Sequence, residues 1–178
     1  MINIKKKYSN KKIIVLGQTT LAKAITESLR GARLGTISDV QSGDVVISTQ
    51  GTNRGTSKKI IDRCFTEIIE QAESVEKIAS RFIVIGSMGA EYSSWPGIDN
   101  QRMIYNISKA SLEKWAQDYN QMNCTIKSGI VGMRIQICEP SAFQTPMSKH
   151  TGMPLQDIIN SVEYLVQNPS AIKIQLRK

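Results

Sequence analysis

Histidine is almost absent from this chain, where His150 stands alone. Metal centres built on imidazole need more than that, and a Ser-His-Asp triad would depend on this one residue. A lone loop histidine is more often merely solvated. Cysteine is scarce too: Cys64, Cys124 and Cys138 are odd in number and widely spaced. That pattern fits reduced, mostly buried thiols in a cytosolic protein, not a disulfide framework or a metal site, and no metal is expected. There is also no apolar run approaching the roughly 18 residues of a membrane span. The basic stretch from Met1 to Tyr8 is followed by no apolar core of the export type. A cytoplasmic protein with no membrane partner is the expectation.

Acidic residues are outnumbered, 15 against 23 lysines and arginines, for a formal charge of +8. Much of the excess lies near the termini, in Lys5, Lys6, Lys7, Lys11, Lys12, Arg177 and Lys178. Surfaces that grip single-stranded nucleic acid interleave aromatics with such residues, and here only Tyr8 sits among the N-terminal lysines. A solvated tail over residues 1–12 is the plainer reading, with nucleic acid set aside and attraction to anionic cofactors accounting for the charge equally well. With 178 residues, 40% of them apolar and 21% charged, the remaining 13–178 fit one domain with a substantial core. No repeat or low-complexity linker divides it.

Short apolar runs alternate with helical patterns. Ile13 to Leu16 ends at Gly17, and Leu21, Ala24, Ile25 and Leu29 then recur at helical spacing, with Thr19 or Thr20 as cap. A strand or loop follows near Leu34 to Ile37, and Val45 to Ser48 reads as a buried strand ending at Thr49-Gln50-Gly51. A long amphipathic helix is predicted from Thr56 to Ala79, and Phe82 to Ile85 is a strand running into Gly86 and Ser87. Tyr105 opens another helix, with Leu112, Trp115, Ala116 and Tyr119 on one face. Met133 to Cys138 is a strand stopped by Glu139-Pro140. A helix from Pro154 to Asn168-Pro169 and a strand from Ile172 to Leu176 complete the chain. Such alternation predicts an α/β, Rossmann-like doubly wound sheet, mostly parallel, with helices on both faces. Ligands of such sheets bind beyond the carboxyl ends of the strands, where Gly17, Gly51, Ser87 and Pro140 fall.

The chemistry centres on Tyr105-Asn-Ile-Ser-Lys109. A tyrosine and a lysine at this spacing share a helix face, and a cation beside a phenol favours its phenolate, which makes a usable proton donor and acceptor. Phe82-Ile-Val-Ile-Gly-Ser87 and Tyr105-x-x-x-Lys109-Ala110 are followed by Gly132-Met-Arg-Ile-Gln-Ile-Cys-Glu-Pro140-Ser-Ala-Phe-Gln-Thr145 and by Asn168-Pro169-Ser170-Ala171. In this order they resemble the short-chain dehydrogenase/reductase family, and the resemblance runs from Ile13 to about Leu176. It implies that Tyr105 is the general acid/base, that Ser87 holds the substrate oxygen, and that Lys109 assists Tyr105 and binds the cofactor ribose. Gly17, Asp39, Gly51, Pro140 and Thr145 would line a site for NAD or NADP, with Thr145 at the nicotinamide carboxamide.

The first half departs from the family pattern. Leu16-Gly17-Gln-Thr-Thr-Leu21-Ala22 stands where the family has three glycines, so Leu21 is positioned to crowd the pyrophosphate, and Ala22 is a smaller change. Too few residues separate the first helix from Val45 for a full set of elements, so about one crossover unit is deleted or compressed. Asp39 is then either the acid that selects NAD at the ribose or half of the Asp-Val pair near the adenine. Asp62 stands at the family's water-holding asparagine, and an enlarged loop surrounds Trp95. The resemblance implies an oxidoreductase acting on a small-molecule carbonyl or alcohol, assembled as a homodimer or homotetramer through the two long helices. The alternative is a non-catalytic module of the same fold that has lost effective dinucleotide binding.

Overall fold

The computed structural model describes residues 12–49, 58–88, 100–124, 132–141 and 152–176. Gly51, Thr145, His150 and the loop around Trp95 lie outside them, as does the basic tail up to residue 11. Among the described residues six strands form one sheet: β1 (Ile13–Leu16), β2 (Ala32–Gly35), β3 (Val45–Ser48), β4 (Arg81–Ile85), β5 (Arg134–Pro140) and β6 (Lys173–Leu176). Every pairing is parallel, and the order is β2-β1-β3-β4-β5-β6. The described helices between them are α1 (Thr20–Ser28), α2 (Lys58–Val75), α3 (Asn100–Cys124) and α4 (Leu155–Gln167).

The apolar strands are continuous in sequence because both of their faces are covered. Ile13, Val15, Val45, Ile47, Ile83 and Ile85 pack with Leu21, Ile25, Ile158, Val162 and Leu165 of α1 and α4. Their alternate neighbours Ile14, Leu16, Val46, Phe82, Val84, Ile135 and Ile137 pack with Ile68, Ala72, Val75, Leu112 and Ala116 of α2 and α3. All of these are buried, and burial on that scale supplies most of the folding drive at roughly 25 cal/mol per Å² of apolar surface.

The compressed crossover is visible between β2 and β3. Residues 36–44 carry one 3-10 turn, Ile37–Asp39, where a doubly wound sheet ordinarily has a helix and a further strand. Strand order therefore reverses between β1 and β3.

Three buried polar side chains complete the frame. Arg81, 4% exposed, donates to the carbonyls of Leu165 and Val166 at 2.8 and 2.7 Å, so a cation closes the end of α4, where the helix dipole is negative. Asn120 on α3 accepts from the Ile135 amide at 2.9 Å and donates to its carbonyl at 2.7 Å. Pairing with β6 begins only at Ile137, so Asn120 satisfies a piece of β5 edge that would otherwise be bare. Gln136 donates to the carbonyls of Asn168 and Ala171, anchoring the approach to β6.

Helix α3 starts at Asn100, five residues before Tyr105, and α2 ends at Val75 instead of Ala79. Strand β5 runs through Glu139 and Pro140. Pro140 is tolerated because the β4 pairing stops at Cys138, so no β4 residue needs its missing N–H. Among the described residues, no helix is long and apolar enough to cross a membrane.

Candidate active site

Parallel strands bring their carboxyl ends to one side of the sheet, and the switch of order between β1 and β3 opens a crevice there. Gly17 leaves β1 with φ of 110°, a conformation that favours glycine. Two residues later Thr19 caps α1, its hydroxyl accepting from the Ala22 amide at 3.0 Å. The cap settles the choice between Thr19 and Thr20. It also places the amino end of a nine-residue helix at the crevice, an arrangement favourable to anions. Leu21, placed by its sequence position to crowd a pyrophosphate, is turned into the core beside Ile25 and Ile158 and is 5% exposed.

On the far side of the crevice Lys109 is 4% exposed, and its Nζ donates to the carbonyl of Ile85, the last residue of β4, at 3.3 Å. The same nitrogen lies 5.7 Å from the centroid of the Tyr105 ring, one turn earlier on α3. Ser87 is two residues beyond Ile85 and half-buried. One strand end thus gathers Ser87 and Lys109, with Tyr105 held beside the lysine. These are the three groups the sequence suggests for proton transfer.

The adjoining strand end is tightly built. A Cβ on Gly86 would stand 2.9 Å from Glu139 Cγ and 3.0 Å from Ile137 Cγ2, so the close approach of β4 and β5 requires glycine there. Pro140 is buried at the end of β5, and Ser141 Oγ is buried without a partner among the described residues.

Asp39, to which the sequence leaves two roles, sits in the turn between β2 and β3. Its Oδ2 accepts from the Thr36 amide at 2.7 Å and the Thr36 hydroxyl at 2.9 Å, and Oδ1 faces Arg33 at 3.8 Å. Those bonds from Thr36, with Arg33 adding to them, hold its carboxyl below the ordinary carboxylate value. In this structure Asp39 caps the turn between β2 and β3.

The feature missed by sequence reasoning is Glu139. Inside an apolar strand it reads as a strand terminator, yet it is buried, with Oε2 accepting from Lys173 at 2.9 Å and Gln175 at 3.1 Å. The hint was a lysine and a glutamine alternating in the neighbouring β6.

The fold defines the class: a Rossmann-like, doubly wound α/β sheet whose strand order switches between β1 and β3. No protein-family model matches the chain, and no curated protein matches its sequence. Solved structures that share the fold are mostly short-chain dehydrogenase/reductases. The chain is similar to 3-alpha-hydroxysteroid dehydrogenase from Pseudomonas sp. B-0831 complexed with NADH, at TM-score 0.62 and 12% identity over 93% of this chain and 95% of that one. It is similar to a short chain dehydrogenase from Burkholderia cenocepacia in complex with NADP, at TM-score 0.63 and 8% identity over 94% and 89% of the two chains. It is also similar to a GDP-L-fucose synthetase from Naegleria fowleri, at TM-score 0.65 and 13% identity over 93% and 76%. At such identities the likeness establishes the fold.

Proposed function

We propose that the protein is an NAD(P)-dependent oxidoreductase that interconverts a carbonyl and an alcohol on a small molecule. The observation that carries the reading is the buried Lys109 ammonium held on the Ile85 carbonyl, beside Tyr105 and two residues from Ser87. Tyr105 gives its phenolic proton to the substrate oxygen in reduction and takes it back in oxidation. Ser87 holds that oxygen by a hydrogen bond. Lys109 stands beside that ring with its ammonium seated on the Ile85 carbonyl, where it can orient the groups that exchange the proton.

The residues fit a dinucleotide. Gly17 with its positive φ and the open amino end of α1 form a phosphate cradle, which Leu21 leaves clear by packing into the core. The family resemblance adds Gly51, Pro140 and Thr145 to this reading, of which Pro140 lies at the end of β5. Two protein structures of like fold hold NADH and NADP, which supports either form as the ligand here. The nicotinamide, when bound, supplies or accepts the hydride.

Titration of the protein with NADH and with NADPH, followed by cofactor fluorescence, tests the reading. Saturable binding is expected, and no binding of either at millimolar concentration would sink it. Tyr105→Phe should bind normally while turnover falls about 10²-fold or more. The second reading, a non-catalytic module of this fold, draws on Asp39, one of whose carboxylate oxygens is engaged by the amide and hydroxyl of Thr36 in its own turn.

A further inference from the structure

Helix α3 is seated on the sheet by three polar side chains of one face. Lys109, Glu113 and Asn120 follow one another at intervals of four and seven residues, which places them within about 40° around a helix of 3.6 residues per turn. Each reaches a different strand. Lys109 donates to the Ile85 carbonyl of β4, Glu113 Oε1 accepts from Lys173 Nζ of β6, and Asn120 bonds both the amide and the carbonyl of Ile135 on β5. Down the helix the partners thus fall on β4, then β6, then β5, with β5 lying between the other two, so the three attachments are not in line. Leu112 and Ala116 are buried between them, but apolar burial carries no direction of its own. Three directed bonds out of line fix where the helix stands and how it is turned.

Both ends of the middle attachment are held. Lys173 Nζ also donates to Glu139 Oε2 at 2.9 Å, and that carboxylate, 1% exposed, takes Gln175 at 3.1 Å as well. On the helix, Glu113 Oε1 accepts from Gln117 one turn further on at 3.0 Å, which restrains its side chain. Lys173 is 27% exposed and Glu113 19%, so their pair is screened less than one out in solvent. Lys173 opens an edge strand that pairs only with Ile137 to Pro140 of β5, so its ammonium joins that edge to α3 as well as to the neighbouring strand.

We infer that Lys173 is a positioning residue for the Tyr105–Lys109 pair: from the edge strand it grips Glu113, one turn beyond Lys109, and so sets where α3 presents that pair at the end of β4. Tyr105, Lys109 and Glu113 succeed one another at intervals of four residues in one unbroken helix, so a displacement at Glu113 is carried to the other two. Lys173 acts only through Glu113 and is given no contact with a substrate or a dinucleotide. Its consequence for turnover rests on the proposed acid/base role of Tyr105, whereas the seating of α3 belongs to the ligand-free chain.

Amide hydrogen exchange in the full, ligand-free chain tests this. Lys173→Met leaves the sequence of α3 untouched, so a local change there must travel through Glu113. Exchange at residues 106–112 should quicken about fivefold, the scale of one partly exposed hydrogen bond between charged groups, and Lys173→Arg should restore most of it. Glu113→Gln should quicken the same amides to the same degree, and the double variant no further. Quickening confined to β6 and the end of β5, or spread evenly over the chain, overturns the inference. Should Lys173→Met fail to fold, Glu113→Gln decides alone, because it leaves Lys173 on Glu139, and unchanged exchange at residues 106–112 then overturns it. In turnover, Lys173→Met should lower kcat about fivefold with the KM for NADPH unchanged, and an unchanged kcat would overturn the link to the chemistry. The exchange measurement needs no dinucleotide, so the expected quickening without NADH or NADPH binding retains the seating of α3 and removes the oxidoreductase reading alone.

Discussion

Thr19 Oγ1 donates to Thr49 Oγ1 at 3.1 Å, and this bond ties the loop after β1 to the end of β3. It is the middle of a one-way chain. The Ala22 amide donates to Thr19, Thr19 to Thr49, and the Thr49 hydroxyl to the Leu16 carbonyl at 2.9 Å. Each hydroxyl gives one proton and takes one bond, so the amino end of α1 is oriented by the two strands that flank the crevice. Thr49→Val keeps the shape but breaks the chain at both of its bonds. A loss of about 1–2 kcal/mol is expected in urea denaturation, with weaker NADPH binding, and Thr49→Ser should restore most of both. Unchanged affinity in the valine variant would separate the chain from ligand binding.

Gly86→Ala places a methyl against Glu139 Cγ and Ile137 Cγ2. Overpacking at a buried strand end costs about 1–3 kcal/mol. Because Glu139 supplies the nearest atom, the cost should shrink when Gly86→Ala is made in a Glu139→Ala background. Chemical denaturation of the two singles and the double closes the cycle, and strict additivity would show that the strain falls on Ile137 or the backbone instead.

How much of this was legible in the sequence depends on what each segment has to satisfy. Ile13–Leu16 and Val45–Ser48 were readable to the residue because strands covered on both faces must be apolar throughout, and glycine or a polar pair stops them. The start of α3 was not readable. Asn100 to Ile104 share no clear apolar stripe, so the periodic pattern that predicts a helix takes hold only at Tyr105. The deletion between β2 and β3 could be counted from chain length. Spacing showed that Tyr105 and Lys109 share a face, but the seat of Lys109 on the Ile85 carbonyl depends on packing that only the folded chain supplies. The surroundings of Glu139 and Asp39 were not readable for one reason: their partners, Lys173 and Gln175 for one, Thr36 and Arg33 for the other, are set by register and turn geometry.

Arg81 joins β4 to α4 through two carbonyls across 84 and 85 residues of chain. Arg81→Met retains much of the buried stem but leaves the Leu165 and Val166 carbonyls without their donor. A destabilisation of about 2–4 kcal/mol is expected, because hydrogen bonds to a buried charge are worth more than neutral ones. Faster amide exchange in the last turn of α4 should accompany it. Exchange that rises uniformly over the chain would mean that Arg81 is not a local cap.

The outward face of α3 exposes Ile107 at 49% and Met122 at 70%, flanking a shallow groove lined by Ala110, Trp115 and Tyr119. Self-association through α2 and α3 would cover these side chains. Light scattering is expected to give a mass above that of one chain, and Ile107→Glu should lower it while leaving the far-ultraviolet spectrum intact. A monomer at all accessible concentrations would rule out the assembly.

The buried acid at the strand end leaves a signature in stability against pH. Burial is the largest influence on Glu139 and raises its carboxyl above the ordinary 4.5, with the Glu113 charge acting in the same direction and Lys173 and Gln175 against it. Between 4.5 and the raised value, the folded protein keeps a proton that the unfolded chain has released. The unfolded state then binds fewer protons, so this group makes stability fall as pH rises through the window and level off above it. Glu139→Gln has no proton to lose there. The stability of the parent minus that of the variant should therefore decline from about pH 4 upward and become flat at higher pH, as read from urea midpoints at a series of pH values. A difference that instead grows with rising pH would mean that Lys173 and Gln175 outweigh burial, and that Glu139 is carboxylate throughout the range.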